Sequence, residues 1–129
     1  MTRDPITEPY DLTPNAFPTR LRLRCRAEFN RAMRTGVRVV DARLIMWGVR
    51  NELGFTRLGL AVSRKHGNAV HRNRIRRLLR EAFRTIRADL PAGLDLVCVP
   101  IRGRKPELRG FRESLVKLVG RVSRRLERE

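Results

Sequence analysis

The residues LGLAVSRKHGNAVHRNRIRRLLREAF, numbers 58–83, read as a strand, a tight turn and a helix. In the first part, large aliphatic residues alternate with glycine, alanine and serine, which predicts a strand on which another element packs closely. Gly67 and Asn68 interrupt this alternation, and asparagine is favoured at a helix start because its side-chain oxygen accepts a backbone N–H of the first turn. The sequence therefore predicts a strand over 57–63 and a helix beginning after Asn68.

This helix has two chemically opposite faces. Apolar residues recur at helical spacing on one side, which is the side expected to pack on a sheet. The other side is expected to be exposed and carries mostly arginine. The apolar stripe comprises Ile75, Leu78, Leu79, Ala82, Phe83 and Ile86, and the basic face comprises Asn73, Arg77, Arg80 and Arg84, flanked by Arg76 and Arg87.

A charged helix face is usually only a solvated face. Solvated faces mix positive and negative residues, however, whereas this one has Glu81 as its single acid, expected to pair with Arg77 or Arg84. Guanidinium groups present a planar fork of donors that matches phosphate oxygens. The helix therefore favours binding to a nucleic-acid backbone.

The series Ser-x-Lys-x-Gly-Asn-Ala-Val-x-Arg-Asn-Arg, residues 63–74, resembles the signature of the bacterial ribonuclease P protein subunit, whose hallmark is the Arg-Asn-Arg core. Leu23, Phe29 and Gly36 are similar to that family's opening pattern. The resemblance implies a small basic protein that binds a catalytic RNA and the 5′ leader of precursor tRNA and assists leader removal. It also implies that the RNA and its Mg²⁺ carry the chemistry, so the protein alone is expected to bind no cofactor and to need no obligate protein partner.

The resemblance assigns residues to two RNA contacts. A leader groove is expected to use Phe29, Met33 and Trp47 with Arg43 beside them, where Met33 departs from the family's aromatic pattern. The alternative is that Phe29 and Met33 are core residues of a short amphipathic helix. The contact with the RNA subunit is expected at Ser63, Lys65, Asn68, Arg72, Asn73, Arg74, Arg77 and Arg80.

Composition agrees with RNA binding. The 129 residues include 30 Lys+Arg against 13 Asp+Glu, a net charge of +17 that points to nucleic acid or an anionic membrane. No apolar run approaches the roughly 20 residues of a membrane span, and the first residues lack the apolar core of a signal peptide. The expected location is the cytoplasm.

Other functions remain open at this stage. A ribosomal or other structural RNA-binding protein, or a DNA-compacting protein, would carry a similar charge. A nuclease site within the protein itself is not expected, because the acids do not cluster. Cys25 and Cys98 lack a pairing pattern and are expected to be reduced, with Cys98 in a strand core. His66 and His71 lack companion ligands and are interpreted as polar or RNA-facing residues, so no metal site is predicted.

The remaining chain completes an α+β fold, an α/β sandwich of order α-β-β-β-α-β-α with a four-stranded sheet. Residues 1–18 carry four prolines and are expected to form a flexible or extended arm, followed by a single domain over 19–129. A βαβ crossover is right-handed by the general rule, but the resemblance implies a left-handed one, as in RNA-binding domains of ribosomal proteins and elongation factor G. The other predicted elements are a helix near 27–33, strands over 37–40, 44–49 and 94–101, a hairpin loop over 51–56, a basic loop over 102–106 and a helix over 108–126.

Overall fold

The computed structural model describes residues 19–23 and 25–128. The predicted order of helices and strands is confirmed, and the arm predicted over 1–18 lies outside the described residues. Single 3₁₀ turns at Thr19–Leu21, Arg64–His66 and Arg87–Asp89 flank the longer elements. These elements are α1 (Arg26–Thr35), β1 (Val37–Val40), β2 (Leu44–Arg50), β3 (Arg57–Leu60), α2 (Ala69–Ile86), β4 (Leu94–Pro100) and α3 (Leu108–Glu127).

The four strands form one sheet in the order β1-β2-β4-β3. β4 is antiparallel to β2 and parallel to β3, so its prediction as an inner strand is confirmed. The predicted hairpin between β2 and β3 is wrong, because β4 lies between them. The 51–56 loop instead joins the segment before β4, where Asn51 N donates to Gly93 O at 2.9 Å and Thr56 Oγ1 donates to Pro91 O at 2.7 Å.

Helices cover both faces of the sheet. α2 and α3 lie on one face, over the main core, and α1 lies on the other face, over a smaller core. The alternation of β4 separates the two: Leu96 and Cys98 enter the main core, while Val97 enters the smaller one. The sheet is therefore the middle layer, and β1 and β3 are its two outer strands.

The apolar stripe of α2 is confirmed, but the predicted exposure of its basic face is wrong at two positions. Arg76 is only 7 % exposed and Arg80 only 4 %. Arg76 folds back onto the segment that follows β3, donating from Nη2 to Val62 O at 3.3 Å and from Nη1 to Asn73 Oδ1 at 3.0 Å. Angular position around one helix cannot reveal this burial, because α2 has neighbours on more than one side.

Candidate nucleic-acid interface

The turn that joins β3 to α2 is held by its own polar side chains. β3 ends at Leu60, earlier than the predicted Ser63, because Ser63 begins a 3₁₀ turn: its Oγ accepts from Lys65 N at 3.3 Å. His66 Nδ1 accepts from Ser63 N at 3.0 Å, and its Nε2 lies 2.8 Å from Pro100 O. A carbonyl oxygen only accepts, so Nε2 donates here, and His66 has a structural role in the turn that fits its interpretation as a polar residue.

The start of α2 is fixed by two adjacent residues. Asn68 Oδ1 accepts from His71 N at 2.8 Å, so the predicted helix cap is confirmed. Gly67 has φ +121°, a conformation that side chains disfavour, and a Cβ there would come within 2.8 Å of the His71 ring. The turn therefore presents the first turns of α2 in one defined orientation.

The Arg-Asn-Arg core lies on these first turns. Arg74 and Arg77 are exposed, as are Ser63 and Lys65, while Arg72 and Asn73 are half-buried. Of the residues predicted to contact an RNA subunit, only Arg80 is buried, so its guanidinium is not displayed on the surface. The remaining predicted residues lie on the turn before α2 and on its first turns, and we call them the α2 surface: Ser63, Lys65, Asn68, Arg72, Asn73, Arg74 and Arg77.

A second surface lies on the opposite face of the sheet, under α1. Phe29 packs over Gly59 of β3, where a Cβ would come within 2.7 Å of the ring. Trp47 of β2 joins the same smaller core, and both rings are half-buried. Met33, one helical turn after Phe29, is 39 % exposed. The structure thus brings three of the four predicted leader-groove residues to one face.

Arg43, the fourth of these residues, lies elsewhere. Its side chain crosses Gly110 of α3, so close that a Cβ on that glycine would come within 3 Å of Arg43 Cζ and Cδ. α3 covers the other face of the sheet. The expectation that Arg43 stands beside Trp47 is therefore wrong, and Arg38 takes that place, with Cζ 5.7 Å from the centre of the Trp47 ring. Arg38 pairs with Trp47 across the β1–β2 ladder, a relation that only the strand register reveals.

An ion-pair network that the sequence analysis missed fixes α1 on the sheet. Arg57 of β3 donates from Nε and Nη2 to Asp95 of β4 at 2.9 and 2.7 Å, and from Nη1 to Glu28 of α1 at 2.9 Å. The paired carboxylate of Asp95 raises the pKa of Arg57 above its ordinary value. Because Glu28 precedes Phe29, this network positions the aromatic ring as well as the helix.

Other titratable groups also have local partners. Glu81 pairs with Arg84 at 2.6 Å, one of the two predicted partners, and this hydrogen bonding lowers the pKa of Glu81. Cys25 and Cys98 are free thiols, and Cys98 is buried in β4 as predicted. Across residues 19–23 and 25–128, no three His, Cys, Asp or Glu side chains are grouped as metal ligands. None of the helices in this part of the chain has the length and apolar character needed to cross a membrane.

The sequence and the fold both match known proteins. The ribonuclease P family model matches residues 17–123. The ribonuclease P protein component of Petrotoga mobilis is 34% identical over 101 residues, covering 78% of this chain and 86% of that protein. The corresponding protein of Pelotomaculum thermopropionicum is 41% identical over 96 residues, covering 74% and 86%.

Solved structures give the same assignment. The RNase P protein from Thermotoga maritima superposes with a TM-score of 0.71 at 31% identity, covering 78% of this chain and 96% of that one. The Staphylococcus aureus RNase P protein gives a TM-score of 0.66 at 29% identity, covering 79% and 96%. The chain therefore belongs to the ribonuclease P protein family, the protein components of a ribonucleoprotein endoribonuclease that processes tRNA.

Proposed function

We propose that this protein binds the catalytic RNA of ribonuclease P through its α2 surface. The observation that carries the proposal is the structure of that surface: a turn held by its own hydrogen bonds sets the orientation of a helix start from which Arg74 and Arg77 are exposed. Guanidinium groups on a fixed helix match phosphates in both charge and geometry. A protein that merely compacts DNA has no need of such a defined turn.

In the same proposal, the 5′ leader of precursor tRNA binds along the surface under α1. Half-buried rings there offer stacking partners for bases of any sequence. The Trp47 ring carries Arg38 above it, which adds a positive charge beside the stacking surface. Phe29 contributes less ring area to a ligand, because it is packed on Gly59.

The protein's part in leader removal is then binding and orientation. Mg²⁺ held by the RNA supplies the hydrolytic chemistry when the complex is assembled, and the residues described above hold the RNA subunit and the leader in place. The cytoplasmic location expected from the sequence belongs to this proposal, because precursor tRNA is the substrate.

Reconstitution tests the proposal directly. The protein is mixed with a bacterial ribonuclease P RNA, and removal of the leader from precursor tRNA is measured at low Mg²⁺ with and without protein. We expect the protein to accelerate cleavage. Equal rates with and without it would refute the proposed function.

Two arginines of the α2 surface give the first mutational test. The Arg72→Ala, Arg74→Ala double variant should weaken assembly with the RNA subunit while leaving the circular dichroism spectrum unchanged. The charge-matched control is Arg87→Ala, Arg109→Ala, since both residues are exposed and neither belongs to the α2 surface. Equal losses in the two double variants would show that net charge alone matters.

The leader contact is tested by comparing two tRNA ligands. Trp47→Ala should weaken binding of precursor tRNA by about 1 to 3 kcal/mol and leave binding of mature tRNA and of the RNA subunit unchanged. Phe29→Ala should act in the same direction. Equal losses for precursor and mature tRNA would show that these rings support the fold and not the leader.

A further inference from the structure

An arginine-lined groove lies between β1 and the last turns of α3. Its volume is about 380 Å³. The arginines of α3 belong neither to the α2 surface nor to the surface under α1. We call it the β1–α3 groove; it is lined by Arg38, Val39, Val40, Arg121, Arg124, Arg125 and Arg128.

Two of these arginines are anchored to the backbone of β1. Arg121 Nη1 donates to Val40 O at 3.3 Å, and Arg125 Nη1 donates to Arg38 O at 3.1 Å. β1 is an outer strand, so these contacts also satisfy carbonyls that the sheet leaves unpaired. Each bond uses one of the five N–H donors of a guanidinium, which leaves two fixed side chains with donors still available.

Protection of the strand edge does not account for the remaining charge. Within the part of the chain that the structure describes, five arginines, all exposed, and no acid line the groove. Like charges gathered at such a spacing repel one another unless an anion lies between them. Arg124 and Arg128 donate to neither of the two carbonyls, so protection of the strand edge does not account for them and their guanidinium groups can bind an anionic ligand.

The surroundings favour a phosphate backbone over other anions. Arg38 lines the groove and also stands over the Trp47 ring, so a charged track continues from the groove to a base-stacking surface. Basic residues beside stacking rings are the usual composition of a single-stranded RNA site. Among the groove residues only Val40 is a large exposed apolar residue, too little to insert into a lipid surface.

We propose that the β1–α3 groove is a further binding surface for RNA phosphates, on the opposite edge of the sheet from the α2 surface. The groove binds single-stranded RNA of any sequence, and this proposal does not depend on which structured RNA the α2 surface binds. Arg121, Arg124 and Arg125 of α3 and Arg128 at its C-cap are spaced i, i+3, i+4 and i+7, which places them on one side of the helix.

Binding of the full-length protein to a labelled oligouridylate of about twelve nucleotides tests the proposal over a range of salt concentrations. The test variant is Arg124→Gln, Arg128→Gln, because neither residue donates to β1. Loss of two phosphate contacts should reduce the slope of log affinity against log salt by about 1.4 and the affinity on the order of tenfold at 0.1 M salt. Arg124→Lys, Arg128→Lys keeps both charges and should retain most of the slope.

The control variant Arg87→Gln, Arg109→Gln makes the same change in net charge at exposed positions outside the groove. A slope that falls for the groove variant and not for this control supports the proposal. An unchanged slope in the groove variant would overturn the proposal and favour an acidic protein surface as the ligand of the groove. The proposal would also be overturned if the Gln and Lys groove variants lost the same affinity, or if the control variant lost as much affinity as the Gln groove variant. Because the probe is a simple oligonucleotide, failure of ribonuclease P reconstitution would not affect this result.

Discussion

At the scale of single residues, the contact between Gly59 and Phe29 sets how closely α1 lies on the sheet. A Cβ on Gly59 would come within 2.7 Å of Phe29 Cζ. Gly59→Ala should therefore displace the ring and lower the free energy of unfolding by about 1 to 3 kcal/mol, as measured by urea denaturation. Gly54→Ala is the matched control, since a Cβ there would have no neighbour within 4 Å. Equal losses in the two variants would contradict the close packing.

The two cysteines should differ in reactivity. Burial, with a smaller effect of the Asp41 charge, raises the pKa of the Cys98 thiol to about 12, so at pH 8 this group stays protonated and shielded. Cys25 is half-buried at the start of α1. A thiol reagent such as DTNB should titrate one thiol in the native protein and two in guanidinium chloride. Rapid reaction of both thiols in the native protein would contradict the placement of Cys98.

The sequence predicted single residues well where the cause is local. Asn68 caps α2 because its side chain reaches a backbone group three residues away, and the alternation of β3 already required small residues where Phe29 now packs. It failed where the cause is distant. The burial of Arg80 and the position of Arg43 against Gly110 depend on neighbours that no local pattern specifies.

At the scale of secondary-structure elements, the attachment of α1 depends on the Glu28–Arg57–Asp95 network. Asp95 has a side chain only 4% exposed, so removing its partner leaves a buried charge uncompensated. Arg57→Met should lower the free energy of unfolding by about 3 kcal/mol and change the fluorescence of Trp47, the single tryptophan. Both effects are measured in one denaturation experiment.

An exposed ion pair provides the comparison. Arg109 lies 3.4 Å from Glu113 on the surface of α3, with its side chain 91% exposed. Arg109→Met should cost less than about 1 kcal/mol, because solvent screens the pair. If Arg57→Met costs no more than this control, the network does not hold α1 to the sheet.

The order of elements followed from the sequence, but the order of strands did not. Apolar β4 was expected inside the sheet, and this position is confirmed. The 51–56 segment nevertheless resembled a hairpin loop, because turn residues between two strands carry no information about a third strand inserted later. Contacts such as the hydrogen bond from Asn51 Nδ2 to Asp95 at 2.8 Å hold this segment against the start of β4.

At the scale of the whole molecule, acids and bases are used differently. Glu28, Asp41, Glu81 and Asp95 are all engaged in ion pairs within the fold. Exposed arginines occur over much of the described surface, and two groups of them lie at the two sides of the sheet, on the α2 surface near β3 and in the β1–α3 groove. Composition predicted RNA binding from the net charge of +17, but the division into two basic surfaces required the strand order.

RNA affinity should therefore depend steeply on salt. If about five phosphates are neutralised, affinity should fall on the order of a hundredfold between roughly 50 and 200 mM salt. Fluorescence anisotropy with a labelled single-stranded RNA measures this fall, and a flat response would contradict it.

The α2 pair (Arg72→Ala, Arg74→Ala) and the groove pair (Arg124→Gln, Arg128→Gln) lie beside opposite outer strands. On an RNA long enough to reach both surfaces, their losses in binding free energy should add to within about 0.5 kcal/mol. A combined loss much smaller than the sum would mean that the two surfaces compete for the same phosphates.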